Sequence, residues 1–321
     1  MTISVLTTLR HAVQRSPTYL TIVAGLLLVS YQQWVGPLPI LTQLAFCVGL
    51  LLIAGIPHGA LDHLIEQERS IRQGKPFSLP FFILKYLLLI AAYGVGWLFF
   101  PVLSLVVFLL ISAWHFGETD LEHAPGTALW SLARFASGSF VLAFILLTHT
   151  TETTPILARI VQNDPQSLQI WQGAASQPAG VLVGLAALTL VLTATAYRRQ
   201  PIPVDGGRLG RLGLVLLLTW PLPLLPAFVL YFGGWHALSS FGTIRSYLRV
   251  SAFSRQSVWK LWLQSMPLTI AAFGFLGACT IVWYRYTPQF DPLPSLFILL
   301  STITLPHIQV MNKLNNYISR L

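Results

Sequence analysis

Four of the eight histidines in this chain stand inside apolar stretches, each directly after a Trp or Pro. They are His58 in Pro57-His58-Gly59, His115 in Trp114-His115-Phe116-Gly117, His236 in Gly234-Trp235-His236, and His307 in Pro306-His307. A polar ring in hydrocarbon is costly for every atom left without a partner. Any one of these rings, taken alone, reads as a core histidine bonded to the next helix. Four of them, from distant parts of the chain, satisfy each other most economically around one metal ion. Neutral imidazoles with few carboxylates suit iron, zinc or copper, not magnesium or calcium. A histidine set that leaves positions open suits Fe(II) activating O₂.

The neighbours of these histidines supply the next roles. Asp62 follows His58 by four residues and on a helix shares its face, as suits a carboxylate that orients a ligating imidazole. Glu118 stands three residues after His115 and is assigned the same orienting role; its plainer reading is a marker of the helix end. Asp120, Glu122 and His123 read as the point where that helix reaches water. His63 is either an interfacial residue beside Glu66 or a further ligand. Phe116, Phe232, Trp235 and Phe241 adjoin the histidines and are candidates to line a tunnel for a flat apolar substrate, with ordinary packing as the alternative. His11, His123 and His149 receive no role.

Several chemistries fit poorly. Zinc hydrolysis wants a general base beside a water-filled cleft, and none is evident. The diiron membrane desaturases need HxxxH and HxxHH boxes, which this chain lacks. A retinal-binding receptor would want a lysine deep in a late helix, whereas Lys260 and Lys313 sit at helix ends. A bis-histidine haem or electron-transfer protein stays compatible with isolated helix histidines.

The elements that must position these residues are membrane helices. The 321 residues are 55% hydrophobic and 9% charged, with mean hydropathy +0.68, against about 25% charged in soluble domains. The chain therefore reads as all-α, a single polytopic membrane domain over residues 1–321, in a prokaryotic inner or internal cell membrane. Net charge is +9, but the basic residues are scattered at the ends of apolar runs. That is a topology signal and not a phosphate-binding stripe, so nucleic acid is not an expected partner. Cys47 and Cys279 read as small core residues. The first 17 residues form a basic, cytoplasmic arm with no small-residue cleavage site, so no removable signal peptide is expected.

Apolar runs of about 20 residues predict ten spans, roughly 18–35, 38–60, 80–100, 102–118, 128–149, 178–197, 209–224, 225–248, 265–286 and 293–312. Pro221, Pro223 and Pro226 predict a turn or broken helix between the seventh and eighth. Residues 150–177 are polar enough to read as an extramembrane or interfacial loop. With the N-terminus in the cytoplasm, all but Arg159 and Arg285 of the 19 Lys and Arg residues fall on or near the inner side. That asymmetry predicts an even number of spans with both termini cytoplasmic. It also puts the four histidines in the inner half of the bilayer, where they can converge.

With these segments in hand, the pattern resembles the Brp/Blh family of membrane-bound carotene 15,15′-dioxygenases. The matching pieces are Gly55–Asp62 (GIPHGALD), Trp114–Glu118 (WHFGE), Gly233–Ala237 (GGWHA) and Leu305–His307 (LPH), in the family's order and spread over roughly residues 40–312. The resemblance implies Fe(II)- and O₂-dependent cleavage of β-carotene at its central double bond, giving two retinal molecules. It also implies a rhodopsin or pigment–protein complex as a membrane partner. By resemblance, His58, His115 and His236 map onto the family's iron ligands and His307 onto its C-terminal motif. One position departs: four residues after His236, where the family carries another ligand histidine, this chain has Ser240. That ligand is then lost, or its place is taken by His63, His307 or water. A non-catalytic carotenoid-binding or assembly subunit is the alternative this departure keeps open.

Overall fold

In hydrocarbon, only a backbone ladder closed within the segment satisfies every N–H and C=O, so the apolar runs become helices. The computed structural model describes residues 18–122, 124–202, 205–248, 258–286 and 292–318. The expected N-terminal arm, with His11, lies outside the described residues, as do His123 and the side chains of Cys279, Trp283, Tyr284 and Tyr286. Among the described residues there is no strand.

Eight helices are long and apolar enough to cross a membrane. These are α2 (Ile40–Arg72), α3 (Leu79–Phe99), α4 (Pro101–Asp120), α5 (Ala128–Thr148), α8 (Pro178–Arg199), α10 (Leu224–Leu248), α11 (Val258–Tyr286) and α12 (Pro292–Ile318). The two remaining expected spans fall on shorter helices, α1 (Thr18–Trp34, 17 residues) and α9 (Gly206–Thr219, 14 residues). Both are below the length of about 20 residues that a span typically needs. The turn expected at the proline cluster lies between α9 and α10, where Pro221 and Pro223 remove backbone donors.

Residues 150–177 are not an irregular loop but two helices, α6 (Thr150–Ile160) and α7 (Pro165–Ser176). Asp164 caps α7 by accepting from Ser167 N–H at 2.8 Å, and Pro165 takes the first helical position. Between them, Gln162 and Asn163 adopt the left-handed backbone (φ 54° and 59°) that turns the chain back. The polar residues read as a loop lie on outer helical faces, while Thr153, Ile156 and Ile160 are buried.

Two features of the packing fix the site. First, α4 and α5 cross with backbones in contact: a Cβ on Gly138 would overlap the Ala113 carbonyl, and one on Gly117 would overlap that of Arg134. Gly138→Ala is therefore expected to lower stability by about 3 kcal/mol, the upper end of ordinary overpacking. Gly184→Ala, in α8 with nothing near it, should be neutral or gain about 0.5–1 kcal/mol. Unfolding of the two purified variants in detergent checks this contrast. Second, α2 and α10 each contain a π-helical stretch, Leu51–Gly55 and Leu230–Ala237, and these pack on one another. Such wide turns recur at functional sites. The second is held close to α1, where Thr21 Oγ1 donates to the Gly234 carbonyl at 2.5 Å and leaves no room for a Cβ on Gly234.

Candidate metal centre

Each wide turn delivers a histidine. Pro57 has no N–H to give and restarts α2 just after the π stretch, so His58 points inward; its Nδ1 faces the Ala54 carbonyl of that stretch at 3.4 Å. His236 lies within the wide turn of α10. His115 comes from α4, locked by the glycine crossing two residues later. His307 follows Pro306 inside α12.

The four rings meet. Centroids lie 5.5 Å apart for His58–His236, 4.6 Å for His236–His115, 5.0 Å for His115–His307 and 4.9 Å for His307–His58. All four rings are buried, at most 4% exposed. One ligand atom from each of His58, His115 and His236 falls within 4.8 Å of the others. His307 stands against two of those rings, outside that tightest group.

The unpaired atoms test whether a metal fits. His58 Nε2, His115 Nδ1, His236 Nδ1 and His307 Nε2 are buried with no hydrogen-bond partner, a cost of about 1–3 kcal/mol for each such atom. His115 Nε2 and His236 Nε2 face each other at 3.1 Å. Two imidazole nitrogens sharing one ion at about 2.0–2.1 Å, at a tetrahedral angle, lie about 3.3–3.4 Å apart, close to that spacing. The set therefore suits a transition metal.

Asp62 belongs to a different histidine from the one expected. Its carboxylate accepts from His307 Nδ1 at 2.9 and 3.0 Å, and from the Tyr86 hydroxyl at 3.0 Å. That bond fixes the proton on Nδ1 and leaves His307 Nε2 as a free donor atom, the usual support of a ligating imidazole. Glu118 lies 3.9 Å from His115 Nδ1, beyond hydrogen-bond reach, with Trp114 and Asn315 side chains near its carboxylate. His63 is half-buried and lines the cavity beside the rings, its Nδ1 turned to the Ala60 carbonyl at 2.9 Å, and it stands outside the tight donor group. Ser240 is buried with its Oγ 3.4 Å from Thr119 Oγ1.

The aromatic candidates separate. Phe116 packs on His236 at 4.8 Å and lines the space beside the rings. Trp235 does not; it is fully buried, donates from Nε1 to Asp120 at 3.0 Å and lies under Arg208. Phe241 packs with Leu61 and Ile244 in a separate core, away from that space. Asp120, read as reaching water, is 1% exposed and also bonded by Tyr231, so it braces the helix segment carrying His236. Phe232 lines that space as expected, whereas sequence reasoning missed Tyr86 and Phe228. A tyrosine in an apolar span needs a partner for its hydroxyl, which was the available signal for Tyr86. Phe228, Phe232 and His236 stack in a column at spacings of 5.5 and 5.9 Å.

Three of the four rings, those of His58, His115 and His307, form one wall of a cavity of about 330 Å³. Besides His58, His115 and His307, it is lined by Asp62, His63 and Tyr86 at the polar end and by Phe108, Phe116, Phe228, Phe232 and mainly aliphatic residues of α3, α11 and α12 elsewhere. A helical membrane protein with a buried polyhistidine centre opening on a hydrocarbon cavity is the class these features define. The family model described as beta-carotene 15,15′-dioxygenase matches residues 49–315, and the chain belongs to that family. A protein named beta-carotene 15,15′-dioxygenase, from the uncultured marine bacterium 66A03, is 25% identical over 264 residues, covering 81% of this chain and 90% of that one. No solved structure matches.

Proposed function

We propose that this protein cleaves β-carotene at its central double bond within the membrane, consuming O₂ and releasing two molecules of retinal. The observation that carries the reading is the quartet of buried imidazoles, three of them on the wall of a largely apolar cavity, in a chain of this family. His58, His115 and His236 would hold Fe(II), with His307 as the fourth nitrogen in place of the histidine lost at Ser240. Iron held there would supply the activation of O₂ against an electron-rich double bond.

The chain's own residues do the rest. Asp62 keeps His307 in the tautomer that frees Nε2, and Tyr86 holds Asp62 from the cavity side. Phe116, Phe228 and Phe232 exclude water and offer flat faces to a polyene. The wall positions the substrate so that one bond, and not its neighbours, comes near the rings. The charge pattern supports a multi-pass protein of a prokaryotic membrane with its site in the inner half. Retinal released there is suited to a retinal-binding membrane protein as recipient.

Expression in bacteria that accumulate β-carotene tests the proposal. Orange colour should fade and retinal should appear in extracts. Unchanged pigment alongside well-inserted protein would refute it, and pigment that co-purifies intact would favour a carotenoid-binding subunit.

A further inference from the structure

A second cavity, about 340 Å³ and so nearly equal in volume to the first, adjoins it beside Phe116, with none of the four histidines in its lining. It follows α4 from Val102 to Phe116, fourteen residues and about 20 Å of helix at 1.5 Å per residue. Its far side is closed by α6 and α7 through Ile156, Ile160, Leu168 and Trp171. No lining residue carries an ionisable side chain, so the space is built for hydrocarbon. The two cavities share four lining residues, Phe108, Ser112, Phe116 and Phe228. Three of these lie one helical turn apart on α4, and His115 sits between the last two.

We infer that a single polyene lies across both cavities, one half in each, with these four shared residues forming the waist that holds its middle bond beside the histidines. The inference rests on the carotenoid-cleavage reading and adds the residues that set where the bond is cut. If substrate filled only the first cavity, its end would meet the rings and cleavage would fall off-centre. Two chambers of equal volume on either side of the waist instead match a substrate with two equivalent halves. They are also of the size ordinary for ligand pockets, whose range is roughly 300–1,000 Å³. The segment over residues 150–177 thereby acquires a role: its helices roof the second chamber.

Leu109 and Leu146 line the second chamber and not the first. Leu109→Trp and Leu146→Trp would fill it without touching the histidines. Each variant, as purified full-length protein, is supplied with β-carotene or with a shortened apocarotenal that keeps the central bond but lacks the ring end of one half. Bound pigment and aldehyde products are both measured. The ratio of β-carotene to apocarotenal turnover should fall about tenfold or more, the scale on which pocket shape discriminates apolar substrates. Leu109→Met should keep the wild-type ratio. An unchanged ratio, whether both substrates slow together or neither does, overturns the inference. Release of a co-purifying lipid at an unchanged ratio overturns it too, by assigning the chamber to an acyl chain. A wild-type protein that binds β-carotene without cleaving it would refute the enzymatic reading alone. The same ratio, taken on bound pigment, then decides the chamber.

Discussion

Replacing His115 with alanine is expected to strip iron from the purified protein and to reduce retinal formation to background. His115 stands against both His236 and His307, at 4.6 and 5.0 Å, and its Nε2 faces that of His236 at 3.1 Å. Its loss takes away one of the three tightest donor nitrogens and leaves His236 Nε2 without the atom it faces. His63→Ala is the paired control, because that ring lines the cavity but is bonded to the Ala60 carbonyl and stands outside the tight donor group. It should retain metal. Iron content of the two variants, measured beside wild type, separates the candidates for the ligand lost at Ser240. Full metal in His115→Ala, or loss in His63→Ala, would reverse the assignment.

The histidine quartet was legible because each ring is an anomaly in an apolar run, and burial of polar atoms leaves few ways to satisfy them. The partnership of Asp62 was not. Counting four residues from His58 assumes an unbroken helix, but the chain breaks at Leu61 (ψ −2°) between Pro57–Ala60 and Asp62–Arg72. That break carries Asp62 off the face of His58 and toward His307, 245 residues away in sequence. The same kind of count misjudged Trp235 and Phe241. Closeness in sequence to His236 does not place a side chain on its face of the helix: Trp235 turns to Asp120 and Phe241 to a separate core. Asp120 was read as solvent-facing because it stands among acids at a helix end. Its burial comes from Tyr231 and Trp235, on a helix that no local pattern ties to it. The helical nature of residues 150–177 was hidden by their polarity, which marks one face and not the absence of structure.

Asp62→Asn offers the sharpest test of His307 as the fourth ligand. The substitution keeps shape and removes charge. The amide oxygen it introduces can still accept from His307 Nδ1. One of the two oxygens that now receive His307 and Tyr86 is replaced by a donor, however, and the charge-assisted bond is lost. Carboxylates that support ligating histidines are typically worth about 10–100-fold in metal affinity. Iron titration of the variant should therefore show weaker binding by about that factor, and excess iron should recover most of the activity. Tyr86→Phe removes one donor from Asp62 and leaves its charge, so it should lie between wild type and Asp62→Asn. The decisive comparison is the double variant. If Asp62 acts through His307, then adding Asp62→Asn to His307→Ala should change iron affinity little further, because the two substitutions remove one and the same support. Additive losses would mean that Asp62 serves the site by some other route, and that Ser240 marks a position where this chain manages with three histidines.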